Sequence, residues 1–203
     1  MSDSVSAIIL AGGRSSRMGR LKASLNFGSS TLLECIVAEM KRAFNDIVIV
    51  ASPVDLIQIT GVRTIHDRAA YPGPVDALER GMLAMTNEIG FACSCDVPFV
   101  SADLALALTG MLGAHDAVIP HVDGKLQTLH AVYRKKCAKV LATMRAKGEH
   151  RLHEIVKFAK RRIVPEDELR ALDPKVDMRS FFNVNTPEDY QRALKMMDEE
   201  FRR

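Results

Sequence analysis

The chain of 203 residues contains no tryptophan, and aromatic residues make up only 5% of it. Stacking platforms for nucleic-acid bases are built from aromatic side chains, so no nucleic-acid partner is expected. Charge does not point there either. Lys+Arg 28 against Asp+Glu 25 leaves a net charge of +3, too small for an electrostatic footprint on a polyanion. No apolar run approaches the roughly 18–20 residues of a membrane span, and the longest near the start, Ala7 to Ala11, has the length of a strand. Met1-Ser2-Asp3-Ser4 offers neither the basic nor the apolar region of a signal peptide, so no membrane and a cytoplasmic location are expected. The four cysteines, Cys35, Cys93, Cys95 and Cys137, form no C-x-x-C pair, and the six histidines supply no zinc-like ligand pairs. His150 and His153 lie three apart on a predicted helix; with no third ligand nearby they read as a solvated face.

What is present is ordinary in amount and orderly in arrangement. Hydrophobic residues reach 47% and charged residues 26%, which excludes a disordered tail, a collagen-like chain and a coiled-coil rod. A chain of this length buries roughly 70% of its unfolded surface, enough to hold without disulfide or structural metal. A single domain over 1–203, monomeric, is expected.

Apolar runs of strand length alternate with segments of helical period. Val5 to Leu10, Ile47 to Ala51, Val62 to His66, Gly90 to Cys95, Ala117 to Pro120 and Thr128 to Tyr133 read as strands. Leu32, Leu33, Ile36, Val37 and Met40 repeat at helical spacing behind Thr31, with Glu34 completing a capping box. Pro74 opens a helix through Leu78, Met82 and Met85, and Ser101 caps Ala102 to Leu112. Lys135 to Ala146, Leu152 to Ala159 and Pro187 to Met197 read as helices. Strands without polar alternation, separated by helices, define a three-layer α/β/α fold with a mostly parallel sheet. In such sheets ligands bind beyond the carboxyl ends of the strands, so functional residues are sought there.

The first strand runs into Leu10-Ala11-Gly12-Gly13-Arg14-Ser15-Ser16-Arg17-Met18-Gly19-Arg20-Leu21-Lys22. Three glycines let backbone N–H groups approach a ligand closely, and Arg14, Arg17 and Lys22 add positive charge, a combination suited to a nucleoside triphosphate. It is neither a P-loop, since Lys22 does not follow a glycine, nor a G-x-G-x-x-G dinucleotide fingerprint. After the fourth strand comes Asp96, a carboxylate placed to hold Mg²⁺ beside phosphates.

Leu-Ala-Gly-Gly-x-Ser-x-Arg-Met-Gly-x-x-Lys resembles the glycine-rich motif of the molybdenum cofactor guanylyltransferases. Tyr71-Pro72-Gly73-Pro74, Cys95-Asp96-Val97-Pro98-Phe99 and Asn183-Val184-Asn185-Thr186-Pro187-Glu188-Asp189 are similar to later motifs of that family, in order and across nearly the whole chain. The resemblance implies the Rossmann-like fold of nucleotide-diphospho-sugar transferases, with a nucleotide half over about 1–100 and a pterin half over about 101–203. It places Leu10, Ala11 and Gly12 against guanine and ribose, with Gly13 and Asp67 also on the nucleotide. It puts Lys22 on the phosphates, Mg²⁺ on Asp96, and Asn183 and Asn185 on the pterin side. Four positions depart from the family pattern: Leu21 stands where Asp is usual, Val75-Asp76-Ala77 where a glycine follows, Val50 at a polar nucleotide position, and Thr128 where proline is usual.

The reaction so implied is transfer of GMP from GTP to the terminal phosphate of molybdopterin. Lys22 and Arg17 would offset charge on the leaving pyrophosphate, Asp96 would act through Mg²⁺, and no general base is required. GTP and molybdopterin are the implied partners, with transient contacts to other cofactor-biosynthesis proteins and molybdoenzyme apoproteins. Gly12 favours the larger purine, because relatives that use CTP tend to carry alanine there. A CTP-dependent cytidylyltransferase, a sugar-phosphate nucleotidyltransferase and an inactive nucleotide-binding regulator remain open alternatives at this point. Thr186-Pro187 also reads as a helix cap, and His130 as a packed strand residue.

Overall fold

The computed structural model describes residues 2–13, 21–172 and 177–201. In chain order the strands are β1 (Ser2–Leu10), β2 (Asn26–Phe27), β3 (Ser30–Thr31), β4 (Phe44–Ala51), β5 (Arg63–His66), β6 (Ile89–Ser94), β7 (Ala117–Val122), β8 (Lys125–Leu126), β9 (His130–Arg134) and β10 (Arg161–Pro165). The helices are α1 (Leu32–Lys41), α2 (Pro74–Ala84), α3 (Ala102–Gly110), α4 (Cys137–Ala146), α5 (Glu166–Arg170) and α6 (Pro187–Phe201).

β1 is apolar on both faces, so both faces must be covered. Ala7 and Ile9 enter one apolar cluster with residues of α1 and α3, while Ile8 and Leu10 enter a second with residues of α2 and α4. β6 divides in the same way, Phe91 and Cys93 to the first cluster and Ala92 to the second. This makes the three layers. The main sheet has the order β10-β7-β9-β6-β1-β4-β5, with β8 paired to β7. β4 and β6 flank β1 in parallel, β5 extends β4 in parallel, and β10 joins β7 in parallel. β9 alone runs antiparallel to both neighbours, β6 and β7.

The sequence punctuation holds. At the start of α1 the Glu34 N–H donates to Thr31 Oγ1 at 3.3 Å, and the Thr31 N–H donates to Glu34 Oε2 at 2.7 Å. Pro74 opens α2 and the Ser101 hydroxyl caps α3. A Cβ added to Gly81 of α2 would lie 2.4 Å from Ile8 Cγ2, so glycine there lets the helix settle directly on β1. Leu152–Lys157 forms a 3₁₀ helix where the sequence predicts a longer α-helix, α3 ends at Gly110, and β9 begins at His130 rather than Thr128. Among the described residues no helix is long and apolar enough to cross a membrane.

Candidate active site

The carboxyl end of β1 is held from both sides. The Ala11 N–H donates to the Val50 carbonyl at 2.8 Å, and the Cys95 N–H donates to the Leu10 carbonyl at 3.0 Å. Gly12 and Gly13 therefore emerge between β4 and β6, where the parallel arrangement leaves a crevice. Ala11 is fully buried in the core cluster on the α1 face. Val50 is likewise core, so this chain brings no polar side chain to the ligand from that position.

Two cavities open here. The first, of about 350 Å³, is lined by Leu10, Gly12, Gly13, Asp67, Tyr71 and the turn through Gly73 and Pro74. Asp67 follows β5, and its N–H donates to the Ala51 carbonyl at 2.9 Å, which fixes its backbone against β4. The residue is only 7% exposed, and Oδ1 has no partner among the described residues. Burial, reinforced by the neighbouring Asp76 carboxylate and opposed by Arg80, His66 and Arg68, pushes its carboxyl up to about 6. A Cβ on Gly12 would stand 3.3 Å from Asp67 Oδ2 and 3.3 Å from the Ser52 nitrogen. Glycine at 12 thus keeps the Asp67 carboxylate clear.

The second cavity, of about 210 Å³, is lined by Asp96, Gln127, Thr128, His130, Phe181 and Asn183, and shares Ser94 and Leu129 with the first. His130 is buried at 2% exposure, edge-on to Phe91 and tilted on Phe181, with no partner for either ring nitrogen among the described residues. Burial holds it neutral at pH 7, its pKa driven down to about 3, which agrees with a packed residue rather than a base.

Lys22 reaches the second cavity through Asp96 of its lining. It opens a short 3₁₀ turn, and its Nζ donates to Asp96 Oδ2 at 3.0 Å and to Asn185 Oδ1 at 2.9 Å. The Val184 N–H donates to the Asp96 carbonyl at 2.8 Å, pinning the segment of Asn183 and Asn185 beside Asp96. The cap of α6 finishes the arrangement: Asp189 Oδ2 accepts from the N–H groups of Asn185 and Thr186 at 3.1 and 3.0 Å, and the Asp189 N–H donates to Thr186 Oγ1 at 3.1 Å. Glycine-loop lysine, Asp96 and Asn185 thus meet directly, and Asn183 lines the second cavity. Arg14 and Arg17 lie outside the described residues.

Asp96 Oδ1 is buried without a partner among the described residues. An unpaired, buried carboxylate oxygen is costly unless a donor or cation reaches it, so the site fits a hard cation. Among the described residues no group of three His, Cys, Asp or Glu could hold a metal by itself. Phosphate oxygens and water would have to complete the shell, as is usual for Mg²⁺.

One cluster has no forewarning in the motifs. Asp76 and Glu79 of α2 are buried at 5% and 3% exposure, and both receive Arg68 and Arg145. The Arg145 Nε donates to Glu79 Oε2 at 2.7 Å, tying α4 to α2 and to the segment just past Asp67. Helical spacing of Asp76 and Glu79 puts them on one face, but nothing in the sequence names their partners.

A glycine-rich turn, a cation, a carboxylate with a free oxygen and two adjoining cavities at the ends of a parallel sheet together define a nucleotide-dependent transferase. Residues 7–164 match the MobA-like NTP transferase domain, and the chain belongs to that family; it is a nucleotidyltransferase. It is similar to a probable molybdenum cofactor guanylyltransferase of Methanosarcina mazei, 31% identical over 93% of this chain and 89% of the relative. In fold it is similar to molybdopterin-guanine dinucleotide biosynthesis protein A from Archaeoglobus fulgidus, with a TM-score of 0.81 at 23% identity, covering 96% and 99% of the two chains. Rv0371C of Mycobacterium tuberculosis H37Rv, solved with manganese, shares the fold at a TM-score of 0.68 and 14% identity, covering 96% and 100%.

Proposed function

We propose that this protein transfers GMP from GTP to the terminal phosphate of molybdopterin, forming the guanine dinucleotide cofactor and releasing pyrophosphate. The observation that carries the reading is the Lys22 Nζ joined to both Asp96, which lines the second cavity, and Asn185. The first cavity takes the nucleoside and the second takes the pterin, so the N-terminal half to about residue 100 binds nucleotide and the remainder binds acceptor. The M. mazei relative's name supplies the acceptor class.

Chemistry follows from placement. The acceptor phosphate, already ionised, attacks the α-phosphorus in line; a new P–O bond forms as the bond to the bridging α–β oxygen breaks, and pyrophosphate leaves with that oxygen. Lys22 moves from Asp96 towards the phosphates as a point charge, and the glycine-loop N–H groups hold them. Bound Mg²⁺ on Asp96 would supply Lewis-acid neutralisation of phosphate charge. Arg17 is assigned to the leaving pyrophosphate. Guanine offers N1–H and N2–H₂ donors, and the Asp67 carboxylate beside Gly12 is an acceptor suited to them. The reaction fits a cytoplasmic setting, where nucleoside triphosphates are available.

An assay of pyrophosphate release with each of the four nucleoside triphosphates, Mg²⁺ and purified molybdopterin tests the proposal. Turnover with GTP at least tenfold above the others is expected. Preference for CTP transfers the assignment to cytidylyl transfer, and release with none of them removes it.

A further inference from the structure

Tyr71 carries a φ of +53°, in the left-handed region where a bulky side chain is an outlier. Such conformations persist only where surrounding contacts impose them, and they gather at ligand sites. Gly73, two residues on, has a φ of +102°, which glycine alone adopts readily, so the segment between β5 and α2 turns sharply at the rim of the first cavity. The Tyr71 hydroxyl donates to Asp55 Oδ1 at 2.9 Å. Asp55 lies in the turn beyond β4, where its N–H donates to the Ser52 carbonyl at 3.0 Å and its own carbonyl accepts from the Ile57 N–H at 2.9 Å. The phenol therefore fastens the loop that follows Asp67 to the loop that follows β4.

Tyr71 lines the cavity and Asp55 does not. The second carboxyl oxygen of Asp55 is buried with no partner among the described residues, so none of them competes with the phenol for this carboxylate through that oxygen. A carboxylate accepting from a hydroxyl makes a stronger bond than a neutral acceptor does.

We propose that Asp55 is a positioning residue for the nucleotide base: its hydrogen bond to Tyr71 holds the phenol ring as a fixed wall of the base cavity. Gly12 and Asp67 contribute other parts of the same lining. A wall set in advance spares the base the ordering of a loop on binding, and so strengthens binding without touching the phosphates. Asp55 acts only through Tyr71. The inference rests on the nucleotide reading of the first cavity, and its test is arranged so that the two can fail separately.

The experiment is a calorimetric titration of the full chain with GTP and Mg²⁺, and separately with inorganic tripolyphosphate and Mg²⁺. It uses the wild type, Asp55→Ala, Asp55→Asn and Tyr71→Phe. Loss of the hydrogen bond in Asp55→Ala and Tyr71→Phe is expected to weaken GTP roughly five- to tenfold. Tripolyphosphate affinity should stay unchanged in both. Asp55→Asn still presents a carbonyl oxygen to the phenol and should recover most of the loss. In steady state the defect should appear in KM for GTP rather than in kcat. Unchanged GTP affinity in Tyr71→Phe, equal weakening of tripolyphosphate, or no recovery in Asp55→Asn would each overturn the proposal. Should the wild type bind tripolyphosphate as tightly as every nucleotide, the nucleotide reading of the cavity falls, and this inference falls with it.

Discussion

Lys22 and Asp96 stand 74 residues apart in the chain, yet the lysine Nζ donates to the aspartate Oδ2 at 3.0 Å. Their side chains keep 16% and 18% exposure, so the pair is sheltered but still reachable. Each offsets the charge of the other. A triphosphate and its cation would offer both partners better ones, the lysine turning to phosphate and the carboxylate to the metal.

Asp96→Asn keeps an oxygen for Lys22 and removes the charge that would hold the cation. Turnover is expected to fall by at least about a hundredfold, as for loss of a main electrostatic contributor. The melting temperature should stay within a few degrees of the wild type. Pyrophosphate release titrated against Mg²⁺ measures this; near-normal activity at ordinary Mg²⁺ would take Asp96 out of the site.

Lys22→Ala separates charge from shape. GTP should bind more weakly by roughly tenfold or more while guanosine is little affected, since on the proposed reading the lysine serves the phosphates and not the nucleoside. Parallel titrations with the two ligands decide it. Equal weakening of both would mean that the variant is misfolded or the loop misplaced.

Gly12→Ala puts a methyl 3.3 Å from both Asp67 Oδ2 and the Ser52 nitrogen. The backbone nitrogen cannot easily yield, so the carboxylate must. Overpacking of this kind costs roughly 1–3 kcal/mol. kcat/KM for GTP should drop about tenfold or more, with CTP spared, because discrimination is a difference in transition-state binding. Equal damage to both nucleotides would place the reading of the base elsewhere.

Asp67 links pH to both affinity and stability. Its carboxyl is raised from 3.8 to about 6 in the fold, so the folded chain holds that proton more tightly than the unfolded chain. The group's stabilising contribution is complete below about pH 4 and is lost as pH rises towards 6. The fold is therefore less stable at pH 7.5 than near pH 4 by on the order of 2–3 kcal/mol through this group. Asp67→Asn should therefore melt at a higher temperature than the wild type at pH 7.5, and lose that advantage near pH 4. The same substitution should weaken GTP, and wild-type KM for GTP should rise as pH drops below about 6. A variant equal to the wild type in melting temperature at both pH values would refute the linkage.

Much of this was legible from residue order. The inner parts of β1 and β4, Ala7 to Leu10 and Ile47 to Ala51, are apolar runs, and Thr31 with Glu34 announces α1. Gly12, Asp67 and Asp96 all stand just past strands, where an α/β sheet puts its ligands, and Lys22 belongs to the loop that leaves the first of them. β10 was not legible, since Arg161-Arg162-Ile163-Val164-Pro165 is an edge strand whose charges mask the apolar pattern. Nor was the antiparallel run of β9, because direction depends on a long return path and not on local pattern. Partners distant in sequence were invisible for the same reason: Lys22 with Asn185, Tyr71 with Asp55, and Glu79 with Arg145. Asp76 illustrates the limit well. Its departure from the family pattern was plain, but its purpose became clear only once Arg68 and Arg145 were found against it.

The two cavities share only Ser94 and Leu129 in their linings. On the proposed reaction, their occupants become one molecule gripped at both ends by separate sets of contacts. Holding by two tethered anchors is far tighter than holding by either, since a freed end stays at high effective concentration above its own pocket. The joined product should then leave slowly by itself and quickly once something captures the end that lets go first. An acceptor that takes the pterin end would serve as that trap, so departure becomes a handover from one protein to the next rather than a release into solution.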